Sequence, residues 1–246
     1  MRLIALVSWY DESPSWLASC VAGIGRFCDF VIAVDGAYAL YPGARPRSHP
    51  QQVEAIVHTA EAMDIGCLVY QPDTIWFDNE LGKRNKSIAL AATVAEPGDW
   101  IAVIDADYHL LRCNPEIVRH ELDETESQVA TYTLLDGKDF LGMADLERYA
   151  QTVNIDTEWT IRTRDLYRWN PTLKVGPAHW CYSAVVDGRR EWLRGPYTSA
   201  LDAIDLGASL AFYHRTQDRA LSRREAAAGY YKAREVNKIE YLTEYV

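Results

Sequence analysis

Four short apolar runs in the first half of the chain alternate with longer segments in which apolar residues recur at helical spacing. The runs cover residues 3–7, 30–34, 67–70 and 100–104. Continuous apolar runs of this length are typical of parallel strands that are buried on both faces. The intervening segments predict a helix beginning at Pro14, one around residues 53–63 and one around residues 81–95. This order predicts an α/β fold with a mostly parallel, twisted sheet and helices on both faces.

The second half has a less regular pattern, which predicts a smaller mixed β extension. The segments predicted there are a helix after Asn114-Pro115, a strand at 128–135, a hairpin turning at Asp187-Gly188, a strand at 209–213 and a charged helix at 220–242. Ligands of sheets of the predicted kind bind beyond the carboxyl ends of the strands. Four segments occupy those ends: residues 8–12, 35–38, 70–77 and 105–109.

Two acids follow the fourth apolar run, in "DWIAVIDADYHLL". If the chain stays extended, Asp105 and Asp107 point to the same side of the strand. Their charges would then repel one another unless a cation lies between them. Carboxylate oxygens favour a hard divalent cation such as Mg²⁺ or Mn²⁺, and an imidazole from His214, at another predicted strand end, would favour Mn²⁺. The alternative is that the two acids only begin a loop.

A basic cluster, "GKRNKS" at 82–87, precedes the fourth run. It places Lys83, Arg84 and Lys86 in the first turn of the predicted helix, where cations oppose the helix dipole. A bound phosphate would make this arrangement favourable. A solvated basic helix end is the alternative interpretation.

Composition narrows the classes of partner. The chain has 246 residues and a formal net charge of −10, which argues against a nucleic-acid binder or a protein that binds anionic membranes. Its five cysteines have no C-x-x-C spacing and are expected to be free thiols, as in a cytoplasmic protein. No apolar run approaches the length of a transmembrane segment.

Several of these stretches together resemble the GT-A-fold glycosyltransferases, particularly the large inverting family 2, over about residues 1–220. The strongest is "GKRNKSIALAATVAEPGDWIAVIDADY", which resembles the family's Arg-Asn pair, Gly-Asp turn and D-x-D motif. The others are "LIALVSWYDESPSWLASCV", "FVIAVDGAY", "RDLYRWNPTLKVGPAHW" and "FYHRT". Three features depart from the family pattern: Asp11 stands where Asn is common, Trp180 stands where Glu is frequent, and no clean acidic acceptor-loop motif follows the fifth strand.

The resemblance implies a single GT-A-like domain over 1–246. Its parts would be a nucleotide-binding half at 1–110, an acceptor and metal half at 111–217, and a helical tail at 218–246. The implied activity is that of a metal-dependent hexosyltransferase, which moves a sugar from a nucleoside-diphosphate donor of UDP or GDP type to a protein, glycan or small-molecule acceptor. The implied cofactor is Mn²⁺ or Mg²⁺, and the implied stereochemical outcome is inversion.

The resemblance also assigns roles to residues of this chain. The residues implied to bind the nucleotide are Ser8, Trp9, Tyr10, Asp11, Glu12, Asp35, Lys83, Arg84, Asn85, Asp105 and Ala106. The implied metal ligands are Asp105, Asp107 and His214, with Asp107 as the direct ligand. An inverting enzyme needs a general base, and the candidates are Asp139, Glu158 and His179, with Asp136 as a further one.

Other functions are also compatible with parts of this pattern. A retaining GT-A enzyme and an inactive module that binds nucleotide sugars share the same predicted fold. A nucleotidyltransferase is disfavoured because "SWYDESPS" lacks the glycine-rich loop of that class. A phosphohydrolase is disfavoured because its D-x-D motif follows the first strand rather than the fourth.

Overall fold

The computed structural model describes residues 1–77, 79–136, 160–178, 181–195, 202–215 and 221–236. The helices in this part of the chain are α1 (Pro14–Ile24), α2 (Pro50–Ala62), α3 (Asn79–Ala91), α4 (Pro115–Glu124) and α5 (Leu221–Val236). The strands in the first half are β1 (Leu3–Ser8), β2 (Phe30–Val34), β3 (Gly66–Tyr70), β4 (Trp100–Asp105), β5 (Tyr108–Cys113) and β6 (Val129–Asp136). Those in the second half are β7 (Thr160–Arg168), β8 (Lys174–Val175), β9 (Tyr182–Val186), β10 (Arg189–Arg194), β11 (Ala203–Asp205) and β12 (Leu210–His214).

A large twisted sheet organises these elements in the order β3-β2-β1-β4-β7-β6-β12-β5, with β11 also paired to β6. The pairs among β1, β2, β3 and β4 are parallel, and β7 runs antiparallel between β4 and β6. A separate small sheet has the order β10-β9-β8. The predicted fold class, an α/β structure with a mostly parallel sheet and a smaller β extension, is therefore confirmed.

Alternation along β4 explains how one strand supports two helical layers. Trp100, Ala102 and Ile104 face the core beneath α1, α2 and α4, and Ile101 and Val103 face the core beneath α3 and the small sheet. Asp105 continues the second series, so its side chain lies on the α3 side. The register places it opposite Ser8, at the carboxyl ends of both strands.

Several predicted boundaries agree closely with the structure, and four strands were not predicted. β2 and the hairpin turn between β9 and β10 lie where the sequence places them. The unpredicted strands are β5, β7, β8 and β11. β5 begins immediately after the acid pair, and its alternation of buried and half-buried residues arises from antiparallel pairing with β12, a partner about 100 residues away.

Two helix starts also match their predicted positions. Asn114 caps α4 by accepting a hydrogen bond from the Ile117 amide at 3.3 Å. Ser13 precedes α1 as predicted, but its hydroxyl contacts the Ser15 hydroxyl instead of capping the helix. In the described part of the chain, none of the helices has both the length and the apolar character needed to cross a membrane.

Candidate functional site

A cavity of about 290 Å³ lies beyond the carboxyl ends of β1, β2, β4 and β12. Its wall is formed by residues that follow those strands, by the second turn of α3 and by one face of α5. Ten of the residues that the sequence assigned to the site line it: Ser8, Trp9, Tyr10, Glu12, Lys83, Arg84, Asp105, Ala106, Asp107 and His214. The fold therefore brings together side chains from four distant segments of the sequence.

The two acids of the D-x-D segment each have a separate partner. Asp105 Oδ1 accepts a hydrogen bond from Arg84 at 3.0 Å, and Asp107 Oδ2 lies 3.0 Å from His214 Nε2. The chain does not stay extended through Asp107, because β4 ends at Asp105, and Ala106 and Asp107 form a turn. Both carboxylates still line the cavity.

The position of His214 is fixed by the strand that carries it. β12 pairs with β5, which places His214 opposite Tyr108, and the two rings meet edge to face with centroids 5.2 Å apart. The amide of Arg215 donates to the main-chain oxygen of Asp107 at 3.0 Å. The main chain at Asp107 is therefore joined to the end of β12, and the Asp107 side chain is 4% exposed.

This pair brings together a carboxylate and an imidazole, two groups of the kinds that bind metal ions in proteins. Among the described residues, no group of three or more His, Cys, Asp or Glu side chains is placed to hold a metal ion. A divalent cation at Asp107 and His214 would therefore take its other ligands from water and from oxygens of a substrate. Carboxylate, water and phosphate oxygens suit Mn²⁺ or Mg²⁺, and an imidazole ligand would favour Mn²⁺ of the two.

Lys83 differs from its predicted placement. α3 begins at Asn79, so Lys83 lies in the second turn rather than the first, and the prediction of a basic first turn is wrong. Its side chain is 1% exposed and donates hydrogen bonds to the main-chain oxygens of Trp9 and Gly36. The ammonium also lies 5.3 Å from the centroid of the Tyr38 ring. Lys83 therefore joins the loops that follow β1 and β2.

Arg84 presents a charged group to the cavity. Its guanidinium bonds Asp105 and also donates to the Tyr182 hydroxyl at 3.4 Å. Burial alone would lower the pKa of Arg84, but Tyr182 and Asp105 raise it by more, so the group stays charged. The next residue, Asn85, pairs with the main chain of Val175 through both its amide nitrogen and its oxygen. Asn85 therefore anchors β8 and does not line the cavity.

Two further predicted nucleotide contacts lie outside the cavity. Asp35 is fully buried, and its carboxylate accepts hydrogen bonds from Gly36 N, Ser48 N, Ser48 Oγ and Gln71 Nε2 at 2.6–2.9 Å. This carboxylate holds the loop after β2 and does not line the cavity. Its contact with the nucleotide stays a prediction. Asp11 has a φ of +50° and lies 3.6 Å from the Arg45 guanidinium.

The candidates for the catalytic base are not among the residues that the structure describes. Asp139, Glu158 and His179 lie outside the described residues, and so does the side chain of Asp136.

The sequence prediction missed a wall of tyrosines. Tyr230 of α5 is 2% exposed and stacks on Tyr38, with centroids 5.2 Å apart and ring planes 29° apart. Tyr41 lies against Tyr230 on one side and Tyr10 on the other. In the sequence, Tyr230 belongs to a Tyr-Tyr pair in an otherwise charged predicted helix. That this pair lies over the cavity depends on how α5 packs against the rest of the fold, which the sequence pattern does not indicate.

Two buried polar atoms beside the cavity have no hydrogen-bond partner among the described residues. They are Ser8 Oγ and Trp9 Nε1. Buried donors are almost always satisfied in folded proteins, so atoms of this kind at a cavity wall are candidates for bonding a ligand or water.

Comparison with known proteins shows that this chain is similar to several solved structures. No protein-family model matches this chain, and neither does any curated protein. Staphylococcus aureus TarS is 17% identical, with a TM-score of 0.42, and the match covers 58% of this chain and 23% of TarS. TarS residues 1–349 in complex with UDP-GlcNAc is 18% identical, with a TM-score of 0.41 and coverage of 58% and 37%. The complex of the same TarS fragment with UDP is 17% identical, with a TM-score of 0.41 and coverage of 58% and 38%. This chain thus spans 23–38% of the length of these structures.

Proposed function

We propose that this protein is a glycosyltransferase that takes its sugar from a nucleoside-diphosphate donor and works with Mn²⁺ or Mg²⁺. The observation that carries the proposal is the Asp107–His214 pair, with its 3.0 Å separation, in a cavity that also contains the Arg84 guanidinium. A diphosphate needs compensation of negative charge, and a chain with a net charge of −10 must supply it locally.

The metal ion would be held by Asp107 and His214. When bound, it would act as a Lewis acid that neutralises negative charge on the departing diphosphate. The remaining ligands would be diphosphate oxygens and water, in keeping with the two donors that the protein provides.

Arg84, which lines the same cavity, would bind the same diphosphate. Asp105 and Tyr182 orient its guanidinium before any ligand arrives, and preorganised donors are the most effective stabilisers of developing negative charge. Ser8 Oγ and Trp9 Nε1 would gain partners from the nucleotide or from water bound with it. The aromatic wall of Tyr10, Tyr38, Tyr41 and Tyr230 would pack against the flat, apolar part of the nucleoside.

We further propose that transfer inverts the anomeric configuration. Inversion requires a group that takes the acceptor's proton, and Asp139, Glu158 and His179 remain the candidates. The acceptor would be a protein, a glycan or a small molecule.

A thermal-shift measurement tests the donor and the metal together. UDP and GDP are added separately to the wild-type protein with Mn²⁺, with Mg²⁺ or with EDTA. UDP is the first choice because it is the nucleotide in the TarS complex. A nucleotide at 100 times its Kd stabilises the folded state by about 2.7 kcal/mol, which raises the Tm of a chain of this size by roughly 5–10 °C. We expect this rise with one nucleotide and only in the presence of metal.

Asp107→Asn is the decisive variant, and Asp123→Asn, at an exposed position on α4, is its matched control. The first should abolish the metal-dependent shift and the second should retain it. If neither nucleotide shifts the wild-type Tm with either metal, the proposal is wrong.

Release of UDP from a UDP-sugar separates a transferase from a module that only binds. In the absence of acceptor, water takes the sugar, so free sugar and UDP appear in equal amounts. We expect slow, metal-dependent hydrolysis by the wild-type protein and none by Asp107→Asn. Binding without any hydrolysis or transfer would favour the inactive module.

A further inference from the structure

Arg215 directly follows His214 in the chain and is buried, with only 6% of its surface exposed. Its main-chain amide bonds the main-chain oxygen of Asp107 at 3.0 Å. Its side chain does not line the cavity but packs against α1 and β5. A buried guanidinium therefore lies immediately behind the two proposed metal ligands.

Three side chains contact the Arg215 guanidinium. It donates to Ser19 Oγ at 3.1 Å and to His109 Nδ1 at 2.5 Å, and it lies 5.3 Å from the centroid of the Trp16 ring. Because a guanidinium can only donate hydrogen bonds, Ser19 and His109 both act as acceptors in these contacts. These four residues form the Arg215 cluster, in which two hydrogen bonds and an aromatic ring fix the orientation of one side chain.

The Arg215 cluster joins the two chain segments that carry the proposed metal ligands. His109 of β5 stands two residues after Asp107, and Arg215 stands one residue after His214. The other two members of the cluster belong to α1. Both segments are therefore packed against one helix, on the side of the sheet away from the cavity wall that they form.

Strand pairing alone does not fix the end of β12. The register between β12 and β5 shifts between Ala211 and Phe212, and β12 ends at His214, only two residues later. A register shift of this kind bends and twists a strand, and the ends of strands are held less firmly than their centres. The position of the His214 ring therefore depends on what holds the residue that follows it.

The position of the His214 ring matters because metal sites tolerate deviations of only about 0.2 Å in the distances between metal and ligand. Residues that orient a metal ligand from behind typically change the metal affinity by about 10- to 100-fold when they are replaced. An imidazole ligand favours Mn²⁺ over Mg²⁺, so a displaced His214 ring would weaken binding of Mn²⁺ more than binding of Mg²⁺.

We propose that Arg215 is a positioning residue that acts through His214. Its guanidinium, held by Ser19 and His109, sets the position of the His214 imidazole relative to Asp107 and thereby favours Mn²⁺ over Mg²⁺ in the site. This assignment rests on the proposed function, since it requires a metal ion at Asp107 and His214. Arg215 itself would contact neither the metal ion nor the nucleotide.

The test measures the Kd of UDP and of GDP by calorimetry, once with excess Mn²⁺ and once with excess Mg²⁺. Arg215→Lys keeps the positive charge but loses the forked donor geometry. Ser19→Ala removes one acceptor at a half-buried position on α1 and carries the test if Arg215→Lys does not fold. Arg119→Lys is the control, because its guanidinium bonds Asp29 and the main-chain oxygen of Phe27 and does not line the cavity.

We expect Arg215→Lys to raise the Kd of the nucleotide that the wild type binds by about tenfold with Mn²⁺ and by no more than about twofold with Mg²⁺. Ser19→Ala should change the ratio of the two Kd values in the same direction by about two- to threefold. Arg119→Lys should leave this ratio unchanged.

His214→Ala distinguishes positioning from a purely structural role. Without the imidazole, Arg215→Lys should cause no further change in the ratio of the two Kd values, whereas a purely structural role would lower the free energy of unfolding and leave the ratio as it is in the wild type.

Three results would overturn the positioning role and leave the proposed function standing. They are a wild-type protein that binds its nucleotide equally well with both metals, variants at Arg215 and Ser19 that leave the ratio unchanged, and an effect of Arg215→Lys that is the same with and without His214. If the wild-type protein binds neither UDP nor GDP with either metal, the proposed function and this assignment both fail.

Discussion

Lys83 and Gly36 are joined by a hydrogen bond of 2.9 Å from the side-chain ammonium to the main-chain oxygen. The same ammonium bonds the main-chain oxygen of Trp9. One buried cation therefore connects α3 to the loops after both β1 and β2, which form two walls of the cavity. Its primary effect is on the shape of the site, since its protons are directed at the protein's own carbonyl groups.

Replacement of Lys83 by Met is expected to destabilise the fold. It leaves the oxygens of Trp9 and Gly36 without this donor, and each buried polar group left unsatisfied costs about 1–3 kcal/mol. We expect urea denaturation to give a free energy of unfolding lower by about 2–4 kcal/mol. Lys86→Met is the matched control, because the Lys86 ammonium lies over the Tyr70 ring, 4.4 Å from its centroid, and should cost less than about 1 kcal/mol. A Lys83→Met protein of normal stability that has lost UDP binding would instead support the sequence-based role in diphosphate binding.

Replacement of Asp35 by Asn should also lower the free energy of unfolding. The carboxylate accepts four hydrogen bonds, and an Asn side chain would turn its amide donors toward the groups that now donate to Asp35, such as Ser48. We expect a loss of about 2–4 kcal/mol in denaturant unfolding. Ser48→Ala, which removes one of the four donors, should cost about 0.5–1.5 kcal/mol. An Asp35→Asn variant with wild-type stability and weakened nucleotide binding would contradict this role and restore the predicted nucleotide contact.

The sequence predicted the elements that depend on local pattern. The apolar runs that become β1, β2 and β4 are continuous because both faces of those strands are covered. Asn114 and Pro115 define a helix start through the chemistry of only two residues. The predicted order of strands placed the acid pair at the carboxyl end of a strand. The location of the candidate site, and most of the residues that line its cavity, could therefore be predicted from the sequence.

Features that depend on distant partners could not be predicted. Whether Lys83 faces a phosphate or two main-chain oxygens depends on how the loops after β1 and β2 pack against α3. The turn at Asp107 is fixed by β5, which is a strand only because β12 pairs with it. Tyr230 belongs to the site because α5 returns across the cavity, and its sequence periodicity carries no information about that docking.

Tyr230 is expected to hold α5 in place over the cavity. Its ring is 2% exposed between Tyr38 and Tyr41, whereas the neighbouring Tyr231 is 50% exposed. Tyr230→Ala should loosen α5, and loss of a buried aromatic ring costs about 3–5 kcal/mol of local packing. Hydrogen exchange measured by mass spectrometry should show faster exchange in the peptide that contains residues 227–231.

Tyr231→Ala is the control for this effect. Because half of that ring is already exposed to solvent, its removal should change the exchange of the same peptide little. Equal acceleration in both variants would mean that helix propensity, rather than the stacked ring, holds α5.

Asp99 is expected to give the fold a specific acid sensitivity. Its carboxylate is 4% exposed, and it accepts hydrogen bonds from the amides of Glu96 and Arg2 and from the Arg2 guanidinium. Burial raises the pKa of Asp99, but these hydrogen bonds and the Arg2 charge lower it by more, so its pKa lies below the ordinary value of 3.8. A carboxyl with a lower pKa in the folded than in the unfolded state stabilises the protein above the unfolded pKa, and that contribution is lost as the pH falls through the folded pKa.

Asp99→Asn should therefore be less stable than the wild type by about 1.5–3 kcal/mol at pH 7, the usual size for hydrogen bonds to a charged group. The difference between the two proteins should remain constant from pH 7 to about pH 5 and shrink below about pH 4, as the wild-type carboxyl becomes protonated. Urea midpoints at pH 7, 5 and 3.5 measure this, with Asp123→Asn as a control for the loss of one exposed carboxylate. A difference that persists unchanged at pH 3.5 would show that Asp99 acts through shape and hydrogen bonding alone, because the charge would then contribute nothing to stability.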